Sequence, residues 1–181
     1  IVSLVSIMEN GSSAEISVVG RDGLVGIAVF MGGESTLNRA IVQSAGFAYQ
    51  LSAGSLLHEF NNNQALRMLL LRYMQALIAQ MTQTAVCNRH HSINQQLCRW
   101  LLLSLDRLPS DNLTMTQELI ANMLGVRREG VTEAAGKLQK LGVITYRRGR
   151  IKVLDREKLE SLCCECYATV KNETDRLDKY S

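Results

Sequence analysis

The stretch QELIANMLGVRREGVTEAAG, residues 117–136, decides the fold of the C-terminal half of the chain. It contains two short amphipathic helical patterns that meet at Gly125, which is typical of a helix-turn-helix. Ala121 stands where the first helix must nearly touch the second, so a larger side chain would clash there. Gly125 stands at the turn, where a positive φ is expected and glycine adopts it at low cost. The residues predicted to face inward are Ile120, Leu124, Val126, Val131 and Ala134.

The second helix of this stretch begins with positive charge, although the helix dipole already makes an N-terminus positive. Arg127 and Arg128 therefore indicate that an anion from outside the chain binds at this end. Arginine can bind guanine or phosphate, and recognition helices contact base edges with their N-terminal residues. The alternative is a helical hairpin whose charged face is simply solvated. The residues of the two helices predicted to bind DNA are Thr116, Gln117, Arg127, Arg128, Glu129, Thr132 and Glu133.

A second group of cations follows in ITYRRGRIKV, which alternates around Arg148 and Gly149 and predicts a β-hairpin. Residues 127–152 contain eight Lys or Arg and two Glu, although the net charge of the whole chain is only +3. The hairpin is therefore predicted to form a basic wing beside the helix, where Arg147, Arg148 and Arg150 contact phosphates.

Upstream, the composition changes at NNNQALRMLLLRYMQALIAQMTQTAVC, which lacks Gly and Pro. Its periodicity predicts one helix of about seven turns, roughly 40 Å long. We expect two copies of this helix to pair, because a sixty-residue β unit is too small to cover it and palindromic DNA requires a two-fold dimer. The alternative is packing of the helix along its own chain. The predicted interface residues are Leu66, Leu70, Tyr73, Leu77, Met81 and Thr84.

Short alternating runs such as AEISVVG and RAIVQSAGFAYQL predict strands near the N-terminus. The chain begins inside such a pattern, and we expect further residues of this β unit to precede it. The helical pattern INQQLCRWLLLSLDRL is expected to end at Pro109-Ser110-Asp111, and the segment from Glu157 to Tyr180 is expected to be helical. The predicted domains are a partial β-roll sensor (1–60), a dimerisation helix and hinge (61–91), a winged helix-turn-helix (92–160) and a helical tail (161–181).

This order of β unit, long helix and winged helix-turn-helix resembles the Crp/Fnr superfamily of bacterial transcription regulators. The resemblance covers essentially the whole chain and is most specific over residues 113–155, which include TMTQELIANMLGVRREGVTEAAGKLQKLGVI. It implies an α+β fold with an N-terminal β-roll of the cyclic-nucleotide-binding jelly-roll type, a long dimerisation helix and a C-terminal winged helix-turn-helix. It also implies a cytoplasmic homodimer that binds palindromic double-stranded DNA and contacts RNA polymerase.

The recognition helix departs from the family's usual pattern, Ser-Arg-Glu-Thr-Val-x-Arg. The matching residues 127–133 read RREGVTE, so Arg128 and Glu129 fall on the family's Arg-Glu pair. Arg127 stands in place of the serine, and Glu133 stands in place of the second arginine. Because this last change reverses a charge, we expect half-sites other than the family's usual TGTGA and TTGAT.

The sensor half departs further from members that bind cyclic nucleotides, which carry Gly-Glu-x-Gly and Arg-Ser/Thr-Ala. Residues 23–26 read GLVG, with Leu24 in place of the carboxylate, and residues 38–40 read NRA. Arg39 is the candidate for holding the anion of an effector, and the alternative is an arginine that caps the loop. We expect that cyclic AMP is not bound in the usual way, and the sequence does not identify another effector.

The five cysteines show no repeated disulfide or zinc spacing, which is typical of a reducing cytosol. Cys163, Cys164 and Cys166 form a dense group, but a tetrahedral metal site needs four ligands, and neighbours on one helix cannot supply them alone. His90 and His91 are interpreted as hinge and capping residues. We therefore predict no metal and no cofactor, and a metal- or redox-gated DNA-binding sensor remains the alternative.

Other classes of protein receive little support from the sequence. No arrangement of nucleophile and base, paired carboxylates or phosphate loop is found, which argues against an enzyme. No apolar run approaches the roughly 18 to 20 residues of a membrane span. A winged-helix module that binds an acidic protein remains a second alternative to DNA binding.

Overall fold

A computed structural model of the protein describes residues 1–108 and 111–178. N-terminal strands are followed by a long helix and a C-terminal winged helix-turn-helix, so the predicted α+β fold is confirmed. Pro109 and Ser110, predicted to end a helix, lie outside the described residues, as does the end of the predicted tail at 179–181. Among the described helices, none combines the length and apolar character needed to cross a bilayer.

The N-terminal sheet contains three antiparallel strands in the order β2-β1-β3. The strand predicted from AEISVVG is confirmed, whereas RAIVQSAGFAYQL forms a strand only over its first four residues. Phe47 and Tyr49 beyond that strand are fully exposed, because none of the described strands and helices covers them. The strands are β1 (Val2–Ile7), β2 (Ser13–Val19) and β3 (Arg39–Val42).

Two helices, α1 (Ala53–Asn62) and α2 (Gln64–His90), follow the sheet and are separated by Asn63. Asn63 ends α1 in an extended conformation and caps α2, because its side-chain oxygen accepts a hydrogen bond from Leu66 N. The predicted long helix is confirmed, and its 27 residues span roughly 40 Å. Helix α1 was not predicted, because its few apolar residues give a pattern too short to separate it from the β-rich segment.

Helix α3 (Ile93–Leu105) forms the centre of the main hydrophobic core. A capping box between Ser92 and Gln95 fixes its first turn. Every residue from Gln96 to Leu105 is buried, which is typical of a helix that is covered on all sides.

The winged helix-turn-helix packs against α3 and carries a second antiparallel sheet, in the order β4-β6-β5. Strand β6 lies in the middle and pairs with both neighbours, so the hairpin is anchored to the segment that precedes the first helix of the motif. The elements are β4 (Asn112–Thr114), α4 (Gln117–Leu124), α5 (Arg128–Lys140), β5 (Ile144–Arg147) and β6 (Arg150–Val153).

The C-terminal segment is helical, as predicted, but it forms two helices, α6 (Arg156–Ser161) and α7 (Cys166–Asp178). Helix α7 returns to pack along α2. Arg156 holds this segment in place, because its guanidinium pairs with Asp106 and donates to the Tyr167 hydroxyl at 2.9 Å.

The N-terminal sheet and the C-terminal half are in direct contact. Val5 of β1 belongs to the same core as α3. The Trp100 indole donates to the carboxylate of Glu15 on β2 at 3.0 Å. Ala14 approaches the turn of the helix-turn-helix so closely that a β-carbon built at Gly125 would lie 3.3 Å from it. The two halves therefore share one continuous interior.

Candidate nucleic-acid interface

The turn between α4 and α5 has the geometry that its sequence predicts. Gly125 ends α4 with φ of +66°, in the left-handed region that favours glycine. Val126 N then donates to Ala121 O at 3.0 Å, which closes the turn. Ala121 is 2% exposed at the contact between the helices, so there is no room for a larger side chain. This turn sets the direction in which α5 leaves the domain.

The N-terminal end of α5 is exposed and uncapped. Arg127 occupies the capping position without a side-chain hydrogen bond to the helix, and Arg128 and Glu129 follow in the first turn. All three side chains are exposed. Within residues 1–108 and 111–178, neither guanidinium is part of an ion pair. This end of the helix therefore presents two arginines and unbonded backbone N–H groups to an external anion.

The structure brings Gln117 of α4 and Thr132 of α5 together. The Thr132 hydroxyl lies 2.9 Å from Gln117 Oε1 and 3.0 Å from Arg128 O, so it donates to one of these oxygens. Thr116 caps α4 by accepting from Leu119 N at 3.2 Å. These predicted residues thus lie on one exposed surface, where the cap of α4 meets the first turns of α5.

Glu133 is paired within its own helix. Its carboxylate lies 2.7 Å from Lys137 Nζ, one turn further along α5. The hydrogen bond and charge of Lys137 lower the pKa of Glu133, so the carboxylate is ionised at neutral pH. The negative charge that departs from the family pattern is therefore balanced locally by a cation.

The wing places three further arginines beside α5. The turn of the hairpin is formed by Arg148 at φ of +51° and Gly149 at +77°, and Arg147 pairs with Arg150 across it. The side chains of Arg147, Arg148 and Arg150 are exposed. Together with Arg127 and Arg128, they make one cationic surface on α5 and the wing.

Tyr146 fixes the wing relative to both helices, a role that the sequence did not reveal. Its hydroxyl donates to Met115 O at 2.8 Å, and its backbone N–H donates to Gln139 Oε1 at 2.9 Å. Burial raises the pKa of Tyr146, and the charge of Arg128 on α5 partly opposes this rise. The signal available in the sequence was an aromatic residue on the inward side of a hairpin.

The six residues predicted at a dimer interface are buried or half-buried within the single chain, and the interface itself stays a prediction. Leu70, Leu77 and Thr84 are buried, and the other three are half-buried. Tyr73 donates to Leu24 O at 3.0 Å, and Thr84 accepts from Arg99 Nη1 at 3.1 Å. This face of α2 is covered because the N-terminal segment and α3 pack against it. Packing of α2 along its own chain, the alternative that the sequence leaves open, accounts for the burial of this face.

A different face of α2 is exposed and apolar. Leu71 and Ile78 lie seven residues apart on it and are 36% and 46% exposed. Met68 and Val86 extend the same stripe towards the two ends of the helix, at 43% and 42% exposed. Within the described chain, neither the sheet nor α7 covers these four residues.

A cavity of about 490 Å³ lies between the loop before β3 and helix α2. Asn38, Ala40 and Leu77 line it, but Arg39 does not, and the Arg39 side chain is exposed. None of the described residues that line this cavity is charged. The structure therefore does not support Arg39 as an effector-binding residue in this cavity.

Residues 95–162 match the family model of the Crp-like helix-turn-helix domain. A CRP-family transcriptional regulator from Thermus thermophilus superposes with a TM-score of 0.69 at 20% identity, over 89% of this chain and 82% of that one. The c-di-GMP responsive global regulator CLP of Xanthomonas campestris gives 0.63 at 17% identity, over 84% and 79%. At these identities the likeness establishes the fold. No curated protein matches the sequence significantly.

Proposed function

Because residues 95–162 form a Crp-like helix-turn-helix domain on a chain with the fold of the Crp/Fnr regulators, we propose that the protein regulates transcription by binding a specific DNA sequence. The observation that carries this proposal is the cationic surface of α5 and the wing. It presents five exposed arginines to solvent, and two of them stand at the uncapped end of a helix. Phosphates and guanine edges are the ligands that such a surface fits.

The arginines have different roles in this proposal. Arg128 and Glu129 lie in the first turn of α5, where a recognition helix reaches base edges in the major groove. Arg147, Arg148 and Arg150 lie on the wing, where they contact phosphates and hold the domain in register. Thr132 and Gln117 contact each other, so a base or phosphate that binds one of them changes the position of the other.

The protein acts as a dimer in this proposal, because two recognition helices about 34 Å apart are needed to read a palindrome. The surface for the second copy is the exposed stripe of α2, formed by Met68, Leu71, Ile78 and Val86, and not the face predicted from the sequence. Pairing along this stripe covers apolar surface on a long helix and leaves both α5 helices free.

The cavity beside α2 is the proposed effector site. It lacks a charged lining residue, so a cyclic phosphate would find no cation there, which supports the expectation that cyclic AMP is not bound in the usual way. Leu77 and Met81 of α2 form part of the cavity wall, so a bound molecule would contact the long helix directly. An uncharged, largely apolar molecule fits this lining.

Salt dependence tests the DNA-binding proposal. We expect Arg148→Ala to reduce the slope of log affinity against log salt concentration by about 0.9, because one phosphate contact and its released counterion are lost. The affinity should fall equally for all sequences. The measurement is a fluorescence titration of the full chain on duplexes selected from a random pool, at several salt concentrations.

The matched control is Lys171→Ala, which removes one exposed cation from α7, far from the wing. We expect its slope to equal that of the unchanged protein. Failure to enrich any duplex from the pool, with binding to an acidic protein instead, would contradict DNA reading and support the winged-helix interaction module.

The dimer is tested by placing charge on the exposed stripe. Leu71→Glu combined with Ile78→Glu is expected to convert a dimer to a monomer, because each two-fold contact would bring like charges together in an apolar seam. Light scattering should give twice the chain mass of 20.1 kDa for the unchanged protein and a single chain mass for the variant. Met8→Glu, at an exposed turn, should remain a dimer. A monomeric unchanged protein would refute this interface.

A further inference from the structure

Three cysteines and one histidine from distant parts of the chain meet at the junction of α2 and α7. Cys87 and His91 lie at the C-terminal end of α2, Cys164 lies in the connection before α7, and Cys166 is the first residue of α7. Their potential ligand atoms all lie within 4.8 Å of one another. The two sulfurs of Cys87 and Cys164 are 3.6 Å apart, and Cys166 Sγ lies 3.4 Å from His91 Nδ1.

The last two of these separations match edges of a tetrahedron around one metal ion. With bonds of about 2.3 Å to sulfur and 2.0 Å to nitrogen, tetrahedral geometry separates two sulfurs by about 3.8 Å and a sulfur from a nitrogen by about 3.5 Å. Both observed distances fall within a few tenths of these values. Two of the six edges of the group therefore already have the length that a tetrahedral metal ion requires, and all four ligand atoms lie within 4.8 Å of one another.

We propose that Cys87, His91, Cys164 and Cys166 bind one Zn²⁺ ion in a closed tetrahedral site. Three thiolates and an imidazole are ligands that Zn²⁺ prefers, and the set contains none of the oxygen ligands that Mg²⁺ or Ca²⁺ requires. The three cysteines are buried and His91 is half-buried, so no coordination position is open to a substrate. The site is therefore structural and not catalytic.

The surroundings of the ligands support this assignment independently. His91 Nε2 lies 3.4 Å from the Glu165 carboxylate, so the ring proton belongs on Nε2 and leaves Nδ1 free to bind the metal. A metal-bound histidine usually donates its other ring N–H to such a carboxylate. Gln83 Nε2 also donates to Cys166 Sγ at 3.1 Å, which stabilises negative charge on that sulfur. Both outer contacts orient ligands towards the same centre.

The position of the site gives it a consequence for the architecture. His91 ends α2, and Ser92 caps α3 immediately afterwards. An ion held here fixes α7 to the joint between the long helix and the DNA-binding half. Loss of the ion would release the start of α7 from α2 and loosen that joint. This proposal does not rest on the function proposed above, because metal binding is measured without DNA.

The sequence argument against a metal considered only neighbouring residues. Cys164 and Cys166 cannot form a four-ligand site alone, but the return of α7 along α2 brings them to residues 77 and 75 positions earlier in the chain. Cys163 remains outside the group, and its sulfur faces Gln95 O at 4.0 Å.

Metal analysis of the full chain, purified under reducing conditions and exposed to Zn²⁺, tests the site. We expect one tightly held zinc ion per chain. After exchange for Co²⁺, we expect the strong visible absorption of a tetrahedral ion and the sulfur-to-cobalt charge-transfer bands of thiolate ligation. A chelator should lower the thermal unfolding temperature of the zinc-loaded protein.

Neighbouring residues supply matched controls. Cys164→Ser and His91→Ala should lose the stoichiometric zinc, whereas Cys163→Ser and His90→Ala should retain it. His91→Cys should still bind one ion and shift the cobalt spectrum towards that of four thiolates, which separates loss of a ligand from misfolding. An unchanged protein that takes up no zinc would overturn the proposal, and so would equal loss in Cys163→Ser. A Cys87–Cys164 disulfide in the reduced preparation would also overturn it.

Discussion

An Arg127→Ala/Arg128→Ala variant is expected to bind its operator roughly a thousandfold more weakly than the unchanged protein. Each arginine that contacts a base or phosphate in a protein–DNA interface contributes about 1–3 kcal/mol, and the two together are expected to contribute about 4 kcal/mol. Neither side chain is buried, so the fold should keep its stability. The measurement is the dissociation constant on the selected operator at a fixed salt concentration.

The matched control is Arg21→Ala/Arg39→Ala, which removes the same charge from two exposed positions of the N-terminal half. We expect it to change the affinity less than threefold, because these residues are not part of α5 or the wing. Equal losses in the two variants would mean that net charge, and not the α5 surface, governs binding. A selection repeated with the double variant should also show relaxed preference at the bases that Arg128 reads. If the unchanged protein instead selected TGTGA or TTGAT, this would contradict the expectation that Glu133, in place of the family's arginine, changes the preferred half-site.

The pH dependence of stability should report the buried carboxyl of Glu15. This side chain is 7% exposed and accepts hydrogen bonds from Ser3 and Gln43, both at 2.5 Å, and from Trp100 at 3.0 Å. Burial raises the pKa of Glu15 from 4.5 to about 7, although the hydrogen bonds of Ser3 and Trp100 and the nearby arginines oppose the shift. Between these two pH values, the folded chain holds a proton that the unfolded chain has released.

The free energy of unfolding should therefore fall as the pH rises from about 4.5 to about 7, and then stop falling. A shift of this size corresponds to about 3 kcal/mol. Glu15→Gln carries no titratable group at this position. The fall in its free energy of unfolding between these pH values should therefore be absent, whether or not the variant is as stable as the unchanged protein. Denaturant unfolding at pH 5 and pH 8 measures the difference. Glu9→Gln, at an exposed turn, should keep the full slope, and a slope unchanged in Glu15→Gln would refute the assignment.

Local features of the sequence predicted the motif well. Ala121 and Gly125 are required by the close approach of two helices and by a positive φ, and both constraints act within a few residues. The hairpin around Arg148 and Gly149 follows from the same kind of local chemistry. The length of α2 was also predictable, because a long run without Gly or Pro suits only a helix.

Features that depend on distant contacts could not be predicted. Periodicity finds the apolar residues of α2 but cannot say which stripe its own chain covers, so Leu70 and Leu77 were assigned to a dimer. Arg39 could not be placed relative to the cavity, because only the packing of the loop against α2 defines that space. The Cys87 and Cys164 sulfurs are brought together only by the path of α7.

The contact of Trp100 with Glu15, and of Ala14 with the turn at Gly125, makes the N-terminal and C-terminal halves structurally dependent on each other. A fragment that began at Ser92 would leave the Trp100 indole without its acceptor and part of the α3 surface open to water. Exchange of the N-terminal half for that of a distant relative would disturb the C-terminal half as well. The two halves of the chain are therefore expected to evolve by matched substitutions across their contact, and not as independent modules.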